Sequence, residues 1–300
     1  MGTRFHILFF LFASLVFSQN KIDIKNLKTM ENIYFAKNSK TPFSGSAFSF
    51  SKLTRKKILE FQIIDGMKNG TYEEWYINGK KKSKYNYQDN LKHGRYTTYY
   101  QNGKKKEKGF WKHGNNEGLC SFWFENGQQK KEGVYKNTKG IGLWTYWYPN
   151  GNIEREGYRN NGIKSGYWMY FYDTGGKKSQ GNYFNDFKYG LWTFWYRNGN
   201  KQSEGYFKKD MKNSLWVNWY ANKIKREIGH YINNKEDGEW IFMSENGEKI
   251  LAGFFYKGQK IQTWTHWYSE RMKKKQIEYN NGIKISELCW DKMGNLINCL

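Results

Sequence analysis

The groups able to do acid–base, metal or nucleophilic chemistry in this chain of 300 residues are few and scattered. The histidines are His6, His93, His113, His230 and His266, and the last four fall at four different phases of the chain's internal period. Register alone therefore gathers no metal site or catalytic pair from them. Glu154, Glu156 and Asp173 would suit a carboxylate pair of the glycosidase kind, although acids scattered over an exposed sheet explain them better. No Gly-x-Ser-x-Gly elbow, phosphate-binding loop or dinucleotide fingerprint occurs. The chain reads as a non-enzyme without cofactor or metal. What it holds in quantity is contact chemistry: one residue in five is aromatic, and 50 Lys and Arg against 27 Asp and Glu leave a net charge of +23. A balance of that size favours acidic partners.

A strict repeat positions these groups. The stretch from Gly142 to Ser165, GLWTYWYPNGNIEREGYRNNGIKS, recurs from Gly70, Gly94, Gly118, Gly166, Gly190, Ser214, Gly238 and Gln262, each copy beginning 24 residues after the last. An alternating run rich in Trp, Tyr and Phe has the pattern of a half-buried strand. Asn-Gly follows at Asn78-Gly79, Asn102-Gly103, Asn126-Gly127, Asn150-Gly151, Asn198-Gly199 and Asn246-Gly247, the signal of a tight primed hairpin turn. A second strand usually carries glycine at the sixteenth position, from Gly109 to Gly253, with an aromatic one or two places on. A polar connection leads to the next unit. The expected fold is all-β: an elongated single-layer antiparallel β-meander of consecutive hairpins forming one domain.

Six tryptophans occupy the third position (Trp144, Trp168, Trp192, Trp216, Trp240 and Trp264), and six more occupy the sixth. Alternation places the third and seventh residues on one face and the sixth on the other. A single sheet cannot bury aromatics on both sides unless it curls, so one ladder is expected to line a trough or stay partly open. Trp75, Trp123, Trp147, Phe171, Trp195, Trp219 and Trp267 are the candidate contact residues of the sixth position. A basic row at the thirteenth, Lys82, Lys106, Lys130, Lys178, Arg226 and Lys274, is broken by Glu154, Gln202 and Ile250. Its members should lie about 9.5–10 Å apart, two strand spacings. Such a row suits an anionic polymer or membrane surface; a solvated strand edge that resists aggregation is the plainer reading.

Residues 1–18 have the anatomy of a secretory signal peptide, with Arg4 ahead of an apolar run from Ile7 to Phe17. That run is too short to span a bilayer comfortably, so the mature chain is expected to be secreted or periplasmic, without a transmembrane segment. Residues 19–44 read as an N-terminal cap, 45–69 as a degenerate repeat, 70–285 as nine regular repeats and 286–300 as a C-terminal capping hairpin. Cys289 and Cys299 flank a turn signal at Met293-Gly294-Asn295 and are a candidate disulfide in an exported protein; two free thiols are the alternative.

The sequence GLWTYWYPNG with the downstream EGYRNNG resembles the MORN repeat variant of bacterial proteins often labelled YwqK-family antitoxins, from about residue 45 to the C-terminus. The resemblance implies an elongated sheet of hairpins used for protein, lipid or membrane-surface contact. The unit is one residue longer than eukaryotic MORN repeats, and Trp-Tyr dyads replace part of their glycine pattern. The expected function is an exported, non-enzymatic repeat scaffold that binds a partner protein or an anionic cell-surface lipid or polysaccharide. The alternative is a carbohydrate or cell-wall module whose sixth-position tryptophans stack on sugar rings. Nucleic acid would suit a basic aromatic surface, but export argues against it as a physiological partner.

Overall fold

The computed structural model describes residues 20–269 and 271–299, so the signal peptide expected over residues 1–18 lies outside the described residues. The chain forms two compact units, one ending at Tyr96 and the other beginning at Thr97.

In the first unit Gly45–Phe50, Lys57–Ile64, Met67–Trp75 and Lys81–Gln88 pair antiparallel in chain order. The short strand Lys21–Asp23 lies parallel to Gly45–Phe50, with Ile22 opposite Ala47. It covers backbone groups that would otherwise form an open edge. Ile22, Ile24 and Leu27 pack from this segment onto buried Ala47, Phe61 and Ile63, and a separate hairpin, Leu27–Met30 with Ile33–Ala36, completes the N-terminal segment.

In the second unit the strands also pair antiparallel in chain order, from Lys105–Lys112 with Asn115–Trp123 to Ile283–Trp290 with Leu296–Ile297. Helix is confined, among the described residues, to the single 3-10 turn Ile24–Asn26. The fold is the expected antiparallel meander of consecutive hairpins.

The turns differ from expectation in a way that explains the period. At Asn150-Gly151 the Gly151 N–H donates to the Tyr148 carbonyl, and the Tyr148 N–H donates to that of Asn152. Only the glycine has positive φ, +94°. This is a three-residue turn with a glycine bulge, not the primed two-residue turn expected there. Its asparagine is needed for its side chain: Asn150 Oδ1 accepts from the Asn152 N–H at 3.1 Å, and Nδ2 donates to the Asp173 carbonyl, in the next unit's turn, at 2.8 Å. Asn102, Asn126, Asn198 and Asn222 make the same inter-unit bond. The primed two-residue turns lie instead in the polar connections, where both members of Asn137-Thr138, Asn185-Asp186, Lys209-Asp210 and Asn233-Asn234 have positive φ. Links between units are thus as tight as links within them.

The seventh-position residues leave the strand, which ends at the sixth, as in Lys139–Trp147 and Phe187–Trp195. Tyr148, Tyr172, Tyr196 and Tyr220 each donate a hydroxyl to the carbonyl of the next unit's sixth residue, at 2.7–3.0 Å. The third-position tryptophans are at most 2% exposed. Each faces a sixteenth-position glycine across the sheet, as Trp216 does Gly205, and a Cβ on Gly205 would stand 2.2 Å from Trp216 Cδ2. The indole N–H donates to the next carbonyl along that strand: Trp168 to Tyr158, Trp192 to Asn182, Trp216 to Tyr206, Trp240 to His230 and Trp264 to Phe254, at 3.0–3.2 Å.

At the C-terminal end a disulfide joins Cys289 to Cys299, with Cα atoms 5.3 Å apart, while Cys120 is buried in the sheet. Replacing both bonded cysteines with serine should lower stability by about 2–3 kcal/mol on loop-entropy grounds, and hydrogen exchange should show fraying confined to the last strands. Gly205→Ala should cost about 1–3 kcal/mol through overpacking. In a double-mutant cycle with Trp216→Leu the two costs should be strongly non-additive, whereas additivity would mean the indole is not the obstruction.

Candidate functional site

One face of the second unit concentrates aromatic and cationic groups. Its floor has three rows, of which the third-position tryptophans are the deepest. Fifth-position rings lie beside them, at 6.1 Å for Trp144 and Tyr146, 6.2 Å for Trp168 and Tyr170, and 6.0 Å for Trp192 and Phe194. Eighteenth-position rings meet the next tryptophan edge to face, at 5.0 Å for Tyr135 and Trp144, 5.1 Å for Tyr183 and Trp192, and 5.0 Å for Phe207 and Trp216. Such pairs contribute about 0.5–1.5 kcal/mol each beyond area burial.

Lysines are held down on this floor. Lys188 Nζ lies 4.9, 5.4 and 5.0 Å from the ring centres of Trp192, Phe194 and Phe207. Lys212 lies 4.4 Å from Trp216 and 4.8 Å from Tyr231, and Lys260 lies 4.3 Å from Trp264. Lys164 sits 4.5 Å from the Tyr183 ring and donates to the Tyr170 hydroxyl at 2.9 Å. All four occupy one phase of the repeat, two residues before its opening residue. A turn side chain from the next unit fixes the backbone of three of them: Asp186, Asp210 and Asn234 accept from the N–H groups of Lys164, Lys188 and Lys212 at 2.6–2.7 Å. Burial holds the pKa of all four below the ordinary lysine value, and Arg155 and Arg159 add to this at Lys164. Ring quadrupoles favour the ammonium, yet among the described residues no carboxylate lies within 4.0 Å of any of the four.

The same face carries Arg155, 4.2 Å from the Tyr146 ring, and Arg159, which donates to the Tyr146 hydroxyl at 3.2 Å. Two depressions open on it. One, of about 340 Å³, is lined by Lys131, Tyr135, Thr138, Trp144, Tyr146 and Arg159 among others. The other, of about 240 Å³, is lined by Phe194, Gln202, Ser203, Phe207, Lys212 and Arg226 among others.

The candidate residues read from sequence are placed differently. Trp75, Trp123, Trp147, Phe171, Trp195, Trp219 and Trp267 are half-buried, and an ammonium covers five of them: Lys57 lies 4.7 Å from Trp75, Lys105 6.0 Å from Trp123, Lys177 5.6 Å from Trp195, Lys201 5.5 Å from Trp219 and Lys249 4.2 Å from Trp267. These lysines must swing aside before a sugar ring can stack there. The thirteenth-position row does not meet these tryptophans. Lys106, Lys130, Lys178 and Lys274 lie over seventh-position rings at 5.4–5.8 Å, whereas Lys82 and Arg226 pair with Glu74 and Glu227. On the face opposite the third-position tryptophans, Leu119, Leu143, Tyr167, Leu191 and Leu215 form an exposed row, from 58% exposed at Leu119 to 40% at Leu215. Among the described residues one cluster has metal-binding proximity, Glu287 with Cys289 and Cys299, and its sulfurs are bonded to each other.

Four segments of the chain match the MORN repeat variant family. They are residues 92–113, 116–137, 141–161 and 188–209, and they include the Trp144 and Trp192 units whose indoles cover glycine. No curated protein matches the chain. Among solved structures it is similar to TcdB2-TccC3, at 12% identity and a TM-score of 0.19 over 81% of this chain and 15% of that one. It is also similar to the Photorhabdus luminescens Tc holotoxin pore, at 12% and 0.20 over 85% and 19%. The chain thus spans less than a fifth of either, and likeness at these scores carries no argument.

The MORN-type period held the signal for the lysine row, because Lys164, Lys188, Lys212 and Lys260 recur in phase; they were hidden in what reads as a polar connection. His266 occupies the fifth position of its unit, where burial and then Lys260, Lys275 and Lys274 hold its imidazole below the ordinary 6.5. A base with a depressed folded-state pKa takes up its proton first in the unfolded chain, so stability falls as pH drops through the unfolded value. Between about pH 7.5 and pH 5.5, His266→Phe should show a shallower loss of unfolding free energy than the parent chain; an unchanged slope would remove His266 from the account.

Proposed function

We propose that this chain is an exported, non-catalytic repeat scaffold that associates with an anionic partner of the cell envelope through the aromatic, lysine-studded face. The observation that carries this reading is the row of half-buried ammoniums that, among the described residues, have no carboxylate within 4.0 Å. Burying a cation costs free energy unless it is paired, and a bound anion would offset that cost. The net charge of +23 acts in the same direction at long range. Export is supported by the leader-like residues 1–18 and by the disulfide, a bond that persists in oxidising compartments. A second reading, contact with a partner protein on the opposite face, is favoured by the exposed row from Leu119 to Leu215.

Capture from envelope extract tests the first reading. Recovery of partner should fall steeply as salt rises and should fall again in Lys188→Glu plus Lys212→Glu, while Trp147→Ala plus Trp195→Ala leaves it intact. Salt-insensitive capture lost only in the tryptophan variant would instead support sugar stacking. Capture lost only in Leu143→Glu plus Leu191→Glu would support the protein contact.

A further inference from the structure

Resting on the reading of this face as anion-binding, we propose that the stretch from Trp144 to Trp216 is a groove for a linear acidic polysaccharide with carboxylates on alternate sugar rings. Two features of the groove are independent of overall charge. Its cations are spaced: Lys164, Lys188 and Lys212 follow one another at the repeat interval, two strand spacings or about 9.5–10 Å. A chain that alternates neutral sugar with uronate sets its carboxylates at a similar interval when it lies across the strands. Between the cations, the groove presents groups that suit sugar rings. The depression at Lys212 adds the amide of Gln202 and the hydroxyl of Ser203 to the rings of Phe194 and Phe207. The depression at Arg159 adds the Thr138 hydroxyl to the rings of Tyr135 and Tyr146.

Acidic groups on this face stand toward its ends, where Glu107 influences Lys131, and Glu227 and Glu236 influence Lys212. Asp186 and Asp210 lie in the turns and already accept backbone N–H groups. They still act electrostatically on Lys164 and Lys188, so the interior from Arg155 to Lys188 sets Arg155, Arg159, Lys164 and Lys188 beside two turn carboxylates.

Other anions use less of this site. A membrane presents a plane of headgroups, which reaches exposed lysines but does not enter depressions where ammoniums lie about 5 Å from ring centres. Polyphosphate carries charge on every unit, more closely than the row repeats, and has no apolar ring face to set on the floor.

The test uses the full chain at physiological salt, with fluorescence anisotropy against an oligosaccharide of alternating N-acetylglucosamine and glucuronate. The comparators are neutral dextran, inorganic polyphosphate and phosphatidylglycerol vesicles. Lys188→Gln plus Lys212→Gln should weaken binding of the oligosaccharide about tenfold or more. Lys136→Gln plus Lys208→Gln, the same charge change at exposed strand ends, should weaken it no more than about threefold. Lys188→Arg plus Lys212→Arg should retain binding, and unchanged melting temperatures would exclude misfolding as the cause of a loss. Equal losses in the two glutamine variants, or tighter binding to polyphosphate or vesicles than to the oligosaccharide, would overturn the proposal. If envelope capture stays salt-sensitive while no oligosaccharide binds, the polysaccharide assignment fails and the broader reading stands. If neither is seen, both fail.

Discussion

The contact between a third-position indole and the bare backbone of a sixteenth-position glycine governs this protein. Glycine inside a strand ordinarily weakens it, having no side chain to pack and the most entropy to lose. Here the indole fills the missing side chain's place, and from Trp168 to Trp264 its N–H donates to the adjacent carbonyl. A single layer of sheet thereby gains a core without a second layer. The two positions are mutually dependent: a Cβ at the glycine displaces the indole, and loss of the indole uncovers the strand.

From that contact follow the floor and its chemistry. Indoles lying flat on the sheet leave room for fifth-position rings beside them and eighteenth-position rings edge-on. The resulting surface is aromatic, shallow and electron-rich, which draws lysine ammoniums onto it. Turn side chains from the next unit fix the lysine backbones, so the cations are placed as regularly as the strands. The opposite face lacks this depth. Its sixth-position tryptophans stay half-buried under flexible lysines, and its leucine row stays exposed.

The two ends of each hairpin share the work of keeping the interval constant. Three-residue turns carry asparagine side chains across to the neighbouring turn, and two-residue turns at the other end leave no slack for the register to slip. Seventh-position tyrosines add hydroxyl bonds that cross the same boundary. Units related by such fixed links present equivalent side chains in lines, and that regularity makes a binding surface with a defined spacing possible.

The antiparallel meander and the strand positions were legible in the sequence, because a strict period and side-chain alternation are properties of the chain itself; which of the two tryptophan ladders is buried was not, because alternation separates the faces without saying which one finds cover. Asn-Gly was legible as a turn but not as the right turn, since its asparagine keeps an ordinary φ and acts through bonds to a residue 23 positions away. The seventh residue breaks alternation at a bend that only backbone geometry reveals. Lys164, Lys188, Lys212 and Lys260 looked like linker residues, and their place over the aromatic floor depends on which rings neighbouring strands bring beneath them. Local pattern sets which way a side chain points and which rings of its own strand it passes; only the paired strands bring Tyr183, Phe207 and Tyr231 to the lysines and the turn side chains that fix them, because those contacts cross from one strand to another.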